Sequence, residues 1–590
     1  MKMNKKVITA FTCAFVVFLL FCFFHYLSPF VYQTNDDLFL RMIVSGEMSG
    51  EAESRLHFIS YPAGLVLSLL YRLSPVLPWY GLFLCFSYGL AMSLILYRLI
   101  YSGKKLLIQG FTILFFSMLC YAFLLPHLAK LQFTTSAGIA AAGALFLFAT
   151  SAPASSFQLA LKNNAGFLLL SAYAFSIRSQ VLFMCLPFIG MIWFSKYLNT
   201  EKKDRKNLFL LGSFYLVMLI SFLFIEKFAY LHSDWHSFRA YSNARASVYD
   251  YEGYPDYDTH EEIYRELGIS RSSYEGASQR YSLILDPAIN LHSMEVLENI
   301  SRQERRDSMG SFSQKASEMV SFFLERNRSD ADKPFNLLVY RCYIFFLLCA
   351  VFSRKWKALR DIFFLLFARM VIWTYLIFYG RLPVRVSQSV YLAELAVLFA
   401  VAFQYEIWRS LKNENSSGHK LSYAAWILSI LVMVFTCVRS GIPHANAVGR
   451  EAKALLEFSD SFACMKDYFK AHPDSFYYLD TNSFAYFTEE ALQKGSYVNS
   501  NYLFMGGWAA KSPWYEKKLE KRGIKDPAAS LYEDPSVYAV FMDTEETDYE
   551  YLENFYAENY PGIHLKVVET VETKNGISFL LLKGYPEEIP

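Results

Sequence analysis

Apolar stretches long enough to cross a bilayer recur along this chain, and nothing else constrains its fold as strongly. About 20 helical residues suffice for a crossing. The first stretch, 7–31, follows three lysines in the opening six residues and is almost wholly apolar. Others follow at about 79–101, 105–126, 131–150, 166–178, 180–197, 207–230, 336–352, 361–379, 387–407 and 421–438. The sequence therefore predicts an α-helical integral membrane protein of about eleven transmembrane helices. Hydrophobic residues make up 54% of the chain and charged residues 19%, below the roughly 25% of soluble domains. The first run is too long for a signal-peptide core and no small-x-small cleavage site follows, so it reads as an uncleaved first helix.

Charge sets the expected topology. The net charge of +2 hides a separation. Residues 232–334 hold 18 acidic and 12 basic side chains, and residues 443–590 hold 24 acidic and 14 basic. With the N-terminus in the cytoplasm, the cytoplasmic loops carry Lys104/Lys105, Lys162, Lys202/Lys203/Arg205/Lys206, Arg354/Lys355/Lys357/Arg360 and Arg409/Lys412/Lys420. All are basic, as the positive-inside rule requires, and both acidic blocks fall outside. The predicted division is a membrane module at 1–231, an external loop region at 232–334, further membrane helices at 335–440 and an external domain at 441–590. No basic region is left over for nucleic acid. Eight of the nine cysteines lie in apolar segments and read as small core hydrophobes. No Cys/His metal spacing exists.

Within the first module, 32–56 is the first external loop. Residues 57–74 are apolar but interrupted by Pro62 and Gly64; Phe58, Pro62, Leu65, Leu69 and Leu73 share one face. This predicts a juxtamembrane helix lying on the outer leaflet. The stretch 166–197 reads as two short helices meeting near the outer surface at Arg178-Ser179-Gln180. The tail alternates: a helix at 444–470, a strand at 476–480, a helix near 514–521, a strand at 537–543, a helix at 547–558 and a hairpin at Lys574-Asn575-Gly576. That is a small α/β domain.

Several residues could carry chemistry. Asp36 and Asp37 lie just past the first span, nearer the membrane exit than Glu47, Glu51 or Glu53. A carboxylate there can act as general base. The competing reading is capping, because Thr34-x-x-Asp37 fits a capping box and acids in a first turn favour the helix dipole. Arg178, between two short membrane segments, is by default functional; the alternative is snorkelling. Arg381 and Arg385 flank Pro383 where a late span leaves the membrane, and arginine forks suit phosphate; the alternative is interfacial anchoring. His57 is a lone interfacial histidine. Arg245 lies in an external Tyr- and Asp-rich segment with Asp250, where a structural ion pair is the plainer reading. The small residues after Gln132-Phe133-Thr134-Thr135 predict close helix packing.

Together these features resemble the GT-C superfamily, multi-span glycosyltransferases that use polyprenyl-phosphate-linked sugars. The carriers of the resemblance are the acid pair Asp36-Asp37 in the first external loop, the juxtamembrane helix at 57–74, Arg178 between two half-length helices, Arg381-x-Pro383-x-Arg385, and a C-terminal external domain. The chain also resembles large bacterial membrane proteins of unassigned role with an Asn-Asp-Asp loop and a Gly-Gly-Trp segment, here Gly506-Gly507-Trp508. The superfamily resemblance implies transfer of a sugar from a polyprenyl-phosphate carrier to a cell-envelope glycan or glycolipid outside the cytoplasmic membrane. Asp36 would be the base, with Asp37 orienting it or helping to bind a cation. Arg178, Arg381, Arg385, His57 and Arg245 would bind substrate. No cofactor is required by the sequence, and a divalent metal remains an open option. Two other classes compete. A transporter or flippase would use buried membrane acids, for which Glu226 and Glu394 are the candidates. A non-enzymatic envelope assembly protein would need only the tail as a binding module.

Overall fold

A computed structural model describes residues 5–101, 106–307, 312–378, 382–407, 417–495, 499–544 and 549–587. The N-terminal part comprises α1 (Lys5–Leu27), β1 (Val31–Tyr32), α2 (Asn35–Ser45), α3 (Tyr61–Leu73), α4 (Trp79–Ile100), α5 (Leu106–Phe123), α6 (Leu125–Ala129), β2 (Lys130–Leu131), α7 (Phe133–Thr150), α8 (Phe157–Asn163), α9 (Ala165–Met184), α10 (Leu186–Asn199) and α11 (Arg205–Ala229). The loop region folds as α12 (Ser233–Ala246), a π-turn at Ser247–Glu252, α13 (Glu261–Glu266), α14 (Arg271–Arg280), α15 (Leu291–Asp307) and α16 (Phe312–Arg328). Then come α17 (Phe335–Phe352), α18 (Trp356–Phe378), α19 (Val384–Tyr405), α20 (Ser417–Thr436) and α21 (Ile442–Ala471).

Among the described residues, ten helices are long and apolar enough to cross a membrane. The expected pair at 166–178 and 180–197 takes a different form. Helix α9 continues past a break at Arg178 (φ −156°, ψ 96°) to Met184, and α10 has 14 residues, about 21 Å at 1.5 Å per residue. That is shorter than a full span, yet Asn199 at its end bonds Tyr405 at 3.0 Å, so the pair still returns the chain to the far end of the bundle. Helices α1 and α11 turn rows of large apolar side chains outward, among them Phe11, Phe15, Phe18, Val217, Phe224 and Phe228. A surface of that extent belongs against lipid. Cys22 is exposed on α1, whereas the other cysteines of the apolar segments are buried.

Helix α7 is the axis of the bundle. Nearly all of it is buried, and it packs against α4, α9 and α19. Its small residues permit this, as the sequence predicts. A Cβ on Gly138 would lie 2.5 Å from Ser389 Oγ of α19, and one on Gly143 would lie 2.9 Å from Ala91 Cβ of α4. Helix α3 starts at Tyr61, so Pro62 occupies its first turn, where a missing N–H costs nothing. Gly64 lies within it, where a Cβ would meet Ser54 O at 2.0 Å. The outer face of α3, with Leu65, Val66, Leu69 and Leu73, is exposed, as a helix lying on a membrane requires.

The tail holds β3 (Phe476–Leu479), α22 (Thr481–Phe484), β4 (Tyr502–Phe504), α23 (Pro513–Arg522), α24 (Pro527–Glu533), β5 (Val537–Asp543), α25 (Glu550–Asn559), β6 (Ile563–Glu572) and β7 (Ser578–Pro586). Its sheet runs β4-β3-β5-β7-β6, parallel across the first three strands and antiparallel thereafter. Gly576, at φ +81°, turns the closing hairpin. The tail is stitched to the first loop: Ala491 N–H donates to Phe30 O at 2.6 Å, and Thr488 Oγ1 to Tyr32 O at 2.7 Å. The expected separate helices at 421–438 and 444–470 are one run from Tyr423 to Ala471.

The ends of α7 differ in charge. The first loop, the loop region and the tail gather at its N-terminal end. At the other end lie the basic connections at 202–206 and 354–360. Lys104, Lys105, Arg409 and Lys412 lie outside the described residues.

Candidate functional site

The site forms where the first turn of α2 meets the N-terminal end of α7. Thr34 precedes α2 in extended conformation, so the two acids occupy the first turn, where the helix dipole favours negative charge. The capping box does not form as expected. Thr34 Oγ1 donates to Asp37 Oδ2 at 3.2 Å and makes no side-chain cap bond to the backbone.

Asp37 is fully buried and engaged. Its Oδ1 accepts from Tyr80 Oη at 2.9 Å and from Phe133 N–H at 3.1 Å. It thus ties α2, α4 and α7 together. Burial pushes its pKa up to about 8, the donor groups pull the other way, and neighbouring Asp36 adds to the rise.

Asp36 is partly accessible. Burial raises its pKa, and the charges of Arg385 and then Arg178 act against that rise. Trp508 also favours the ionised form, and the charge of Asp250 opposes it. The charges of two cations from different helices, α9 and α19, therefore act on this acid. Arg178 occupies the break in α9, its guanidinium 4.7 Å from the Phe58 ring and 4.9 Å from the Phe133 ring. Those rings stack on each other 5.4 Å apart. Arg385 lies in the first turn of α19, whose Ser387 is held by Arg326 and by Asp332 at 2.6 Å.

The structure thus brings together Asp36, Asp37, Arg178 and Arg385. Arg381 lies outside the described residues. His57 borders the group, with its ring stacked 5.5 Å from Trp508 and its Nε2 3.4 Å from Ser242 Oγ. Burial first, then Arg245, Arg178 and Arg239, lower its pKa to about 3, so it presents a neutral imidazole. Arg245 lies beyond His57. It is 4% exposed, and its Nε and Nη1 are buried without a hydrogen-bond partner among the described residues. Among those residues no three His, Cys, Asp or Glu side chains converge as a metal-binding group.

Two neighbours escaped the sequence reading. Asp250 reads there as half of a structural ion pair; it lies in the π-turn, and its charge also acts on Asp36. Trp508, 472 positions from Asp36, could have been found only as part of the Gly-Gly-Trp segment. The membrane acids expected of a transporter hold structure together. Glu226 Oε2 accepts the Tyr61 N–H at the start of α3 at 2.8 Å, and Glu394 pairs with Arg369. A separate cleft of about 650 Å³ beside α21 is lined by Arg41, Glu47, Lys466 and Glu489. Those four charges pair with one another.

No family model matches the chain, and no curated protein matches it. Among solved structures, the crystal structure of ArnT from Cupriavidus metallidurans bound to undecaprenyl phosphate aligns over 98% of each chain, with 10% identity and a TM-score of 0.36. A score that low does not establish a shared fold, and the chemistry of this chain has to come from its own residues.

Proposed function

We propose that the chain is a membrane glycosyltransferase of GT-C type. In this reading it moves a sugar from a polyprenyl-phosphate carrier to a cell-envelope glycan or glycolipid. The observation that supports it is the partly accessible carboxylate of Asp36, on which the charges of Arg385 and Arg178 act, at one end of a membrane bundle. A lipid-linked donor brings its phosphate to headgroup level. There Arg178 and Arg385 would bind it through paired charge-assisted bonds. Asp36 would take the proton of the acceptor hydroxyl as its oxygen attacks the anomeric carbon. The bond from that carbon to the phosphate oxygen breaks, and polyprenyl phosphate leaves with its new charge beside the arginines. Burial suits Asp36 to this work, because a raised pKa strengthens a carboxylate as base.

The same reading puts the site, the loop region and the tail outside the cytoplasmic membrane and the N-terminus inside. An impermeant thiol reagent on intact cells should label Lys574→Cys and spare Lys203→Cys; the reverse pattern would invert the topology. Mass spectrometry of envelope glycans from a deletion strain would name the product. Restoration of that product by wild-type protein and not by Asp36→Asn supports the enzyme. Full restoration by Asp36→Asn would favour an assembly protein acting through its tail.

A further inference from the structure

We infer that the cleft beside α21 binds a sugar chain carrying carboxylate or phosphate groups, at a site separate from Asp36. About 650 Å³ opens there between the first loop, α21 and α23. That volume is typical of small-molecule sites and exceeds what a single ion fills. Among the described residues, seven basic and five acidic side chains line it. Arg41, Glu47, Lys466 and Glu489 neutralise one another, and Lys470 pairs with Asp467 at 3.3 Å.

Lys518 of α23 stands outside that pairing. It lines the cleft, is 4% exposed, and makes no ion pair among the described residues. An ammonium has three donors. The recorded acceptor for Lys518 is Ser500 Oγ, and its Nζ also lies 5.7 Å from the centre of the Tyr502 ring. Ser500 Oγ in turn donates to Glu47 O at 3.0 Å. Burial pushes the Lys518 pKa down to about 7, with Glu47 pulling it up and Lys521 pushing it further down. Buried lysines elsewhere in the tail are finished differently. Lys583 donates to Asp534 O at 2.7 Å and to Val537 O at 3.4 Å, and Lys511 donates to Asp286 O and Ile289 O. Each of those holds two carbonyls, whereas Lys518 keeps donor capacity beside an opening. Two more cations at the cleft lack a carboxylate partner among the described residues. Lys494 is exposed, and Arg522 has a buried Nε with no hydrogen-bond partner there.

Unmatched cations select an anion, and the rest of the lining selects a sugar. Gln493, Asn499, Ser475 and the carboxylate of Asp460 offer acceptors as well as donors. A bare phosphate uses donors only, but sugar hydroxyls use both.

The test titrates full-length protein in lipid nanodiscs by calorimetry. The probes are tetragalacturonate, glucose-6-phosphate, the neutral maltotetraose and inorganic phosphate. At least one charged sugar should bind, about tenfold or more tightly than maltotetraose and than phosphate. Lys518→Met keeps the stem and removes a buried charge without a counter-ion, so it should fold at least as well as wild type. It should weaken the charged sugar by about tenfold or more. Lys494→Glu reverses an exposed charge, should weaken binding likewise, and decides the matter where the Met variant misfolds. Wild-type affinity in folded Lys518→Met overturns the inference, as does the absence of binding by both charged sugars. Maltotetraose binding as tightly would make the cleft a neutral-sugar site, and phosphate binding as tightly a bare anion site; either result also overturns it. Binding is read without turnover, so the outcome stands whether or not Asp36 acts as a base.

Discussion

The two ends of α7 each carry a cluster built around aspartate, and they are finished differently. At the C-terminal end Asp361 is 2% exposed and saturated. Its Oδ2 accepts from Ser195 Oγ and Tyr405 Oη, each at 2.6 Å, and its Oδ1 accepts from Arg360 Nε at 2.9 Å. At the N-terminal end Asp37 is saturated in the same manner, but Asp36 beside it stays partly accessible, under the charges of two arginines. Arg245 nearby keeps two buried donor atoms unmatched among the described residues. A cluster that serves the fold closes on itself, because each unmatched buried polar atom costs stability. A cluster that leaves charge facing an opening bears that cost for a ligand.

The contrast can be broken by substitution. Asp36→Asn should lower sugar transfer by on the order of 10²–10⁴-fold with little change in melting temperature. Asp361→Asn should do the reverse, destabilising by about 1–3 kcal/mol while turnover per folded molecule holds. Equal effects of the two on both readouts would erase the distinction between the ends. Arg178→Lys should come next, lowering kcat/KM for the lipid-linked donor by roughly tenfold or more, since an ammonium cannot reproduce the guanidinium fork. Donor kinetics identical to wild type would make Arg178 an interfacial anchor.

The smallest effect sharpens the comparison within the acid pair. An unfolded Asp titrates near pH 4, and Asp37 in the folded protein near 8. Between those values the folded state holds a proton that the unfolded state lacks, so this group's contribution to stability falls as pH rises. Asn cannot titrate, yet its amide oxygen can still accept from Tyr80 and Phe133. The drop in melting temperature from pH 5 to pH 8 should therefore be shallower in Asp37→Asn than in wild type. Equal slopes would mean that folded Asp37 is ionised across the range.

What could be read from sequence follows from locality. Residues beside a span exit are fixed in height by the span itself, which is why the sequence predicts one level for Asp36, Arg178 and Arg385. The break at Arg178, the strand Val537–Asp543 and the hairpin at Asn575-Gly576 also have local signals. The joining of α20 to α21 does not. A π-turn at Cys437–Gly441 carries the helix up to Pro443, which cannot donate a hydrogen bond one turn back. Trp508 was hidden for the opposite reason: its position depends on a sheet, a clamped turn and a partner segment more than 200 residues earlier.

The unbroken run from Tyr423 to Ala471 has 49 residues, about 74 Å at 1.5 Å per residue. Its lower part is apolar, and its upper end feeds directly into β3. A rod anchored in lipid at one end and in the tail at the other turns hydrophobic thickness into a ruler. Where acyl chains are longer than the apolar part of the rod, matching shifts or tilts it. Trp508 rides on the tail, whereas Phe39 on α2 hangs from α1, so such a shift strains the packing of the two rings. Acyl-chain length thereby enters the geometry of the site, although no lipid tail needs to touch the reacting atoms.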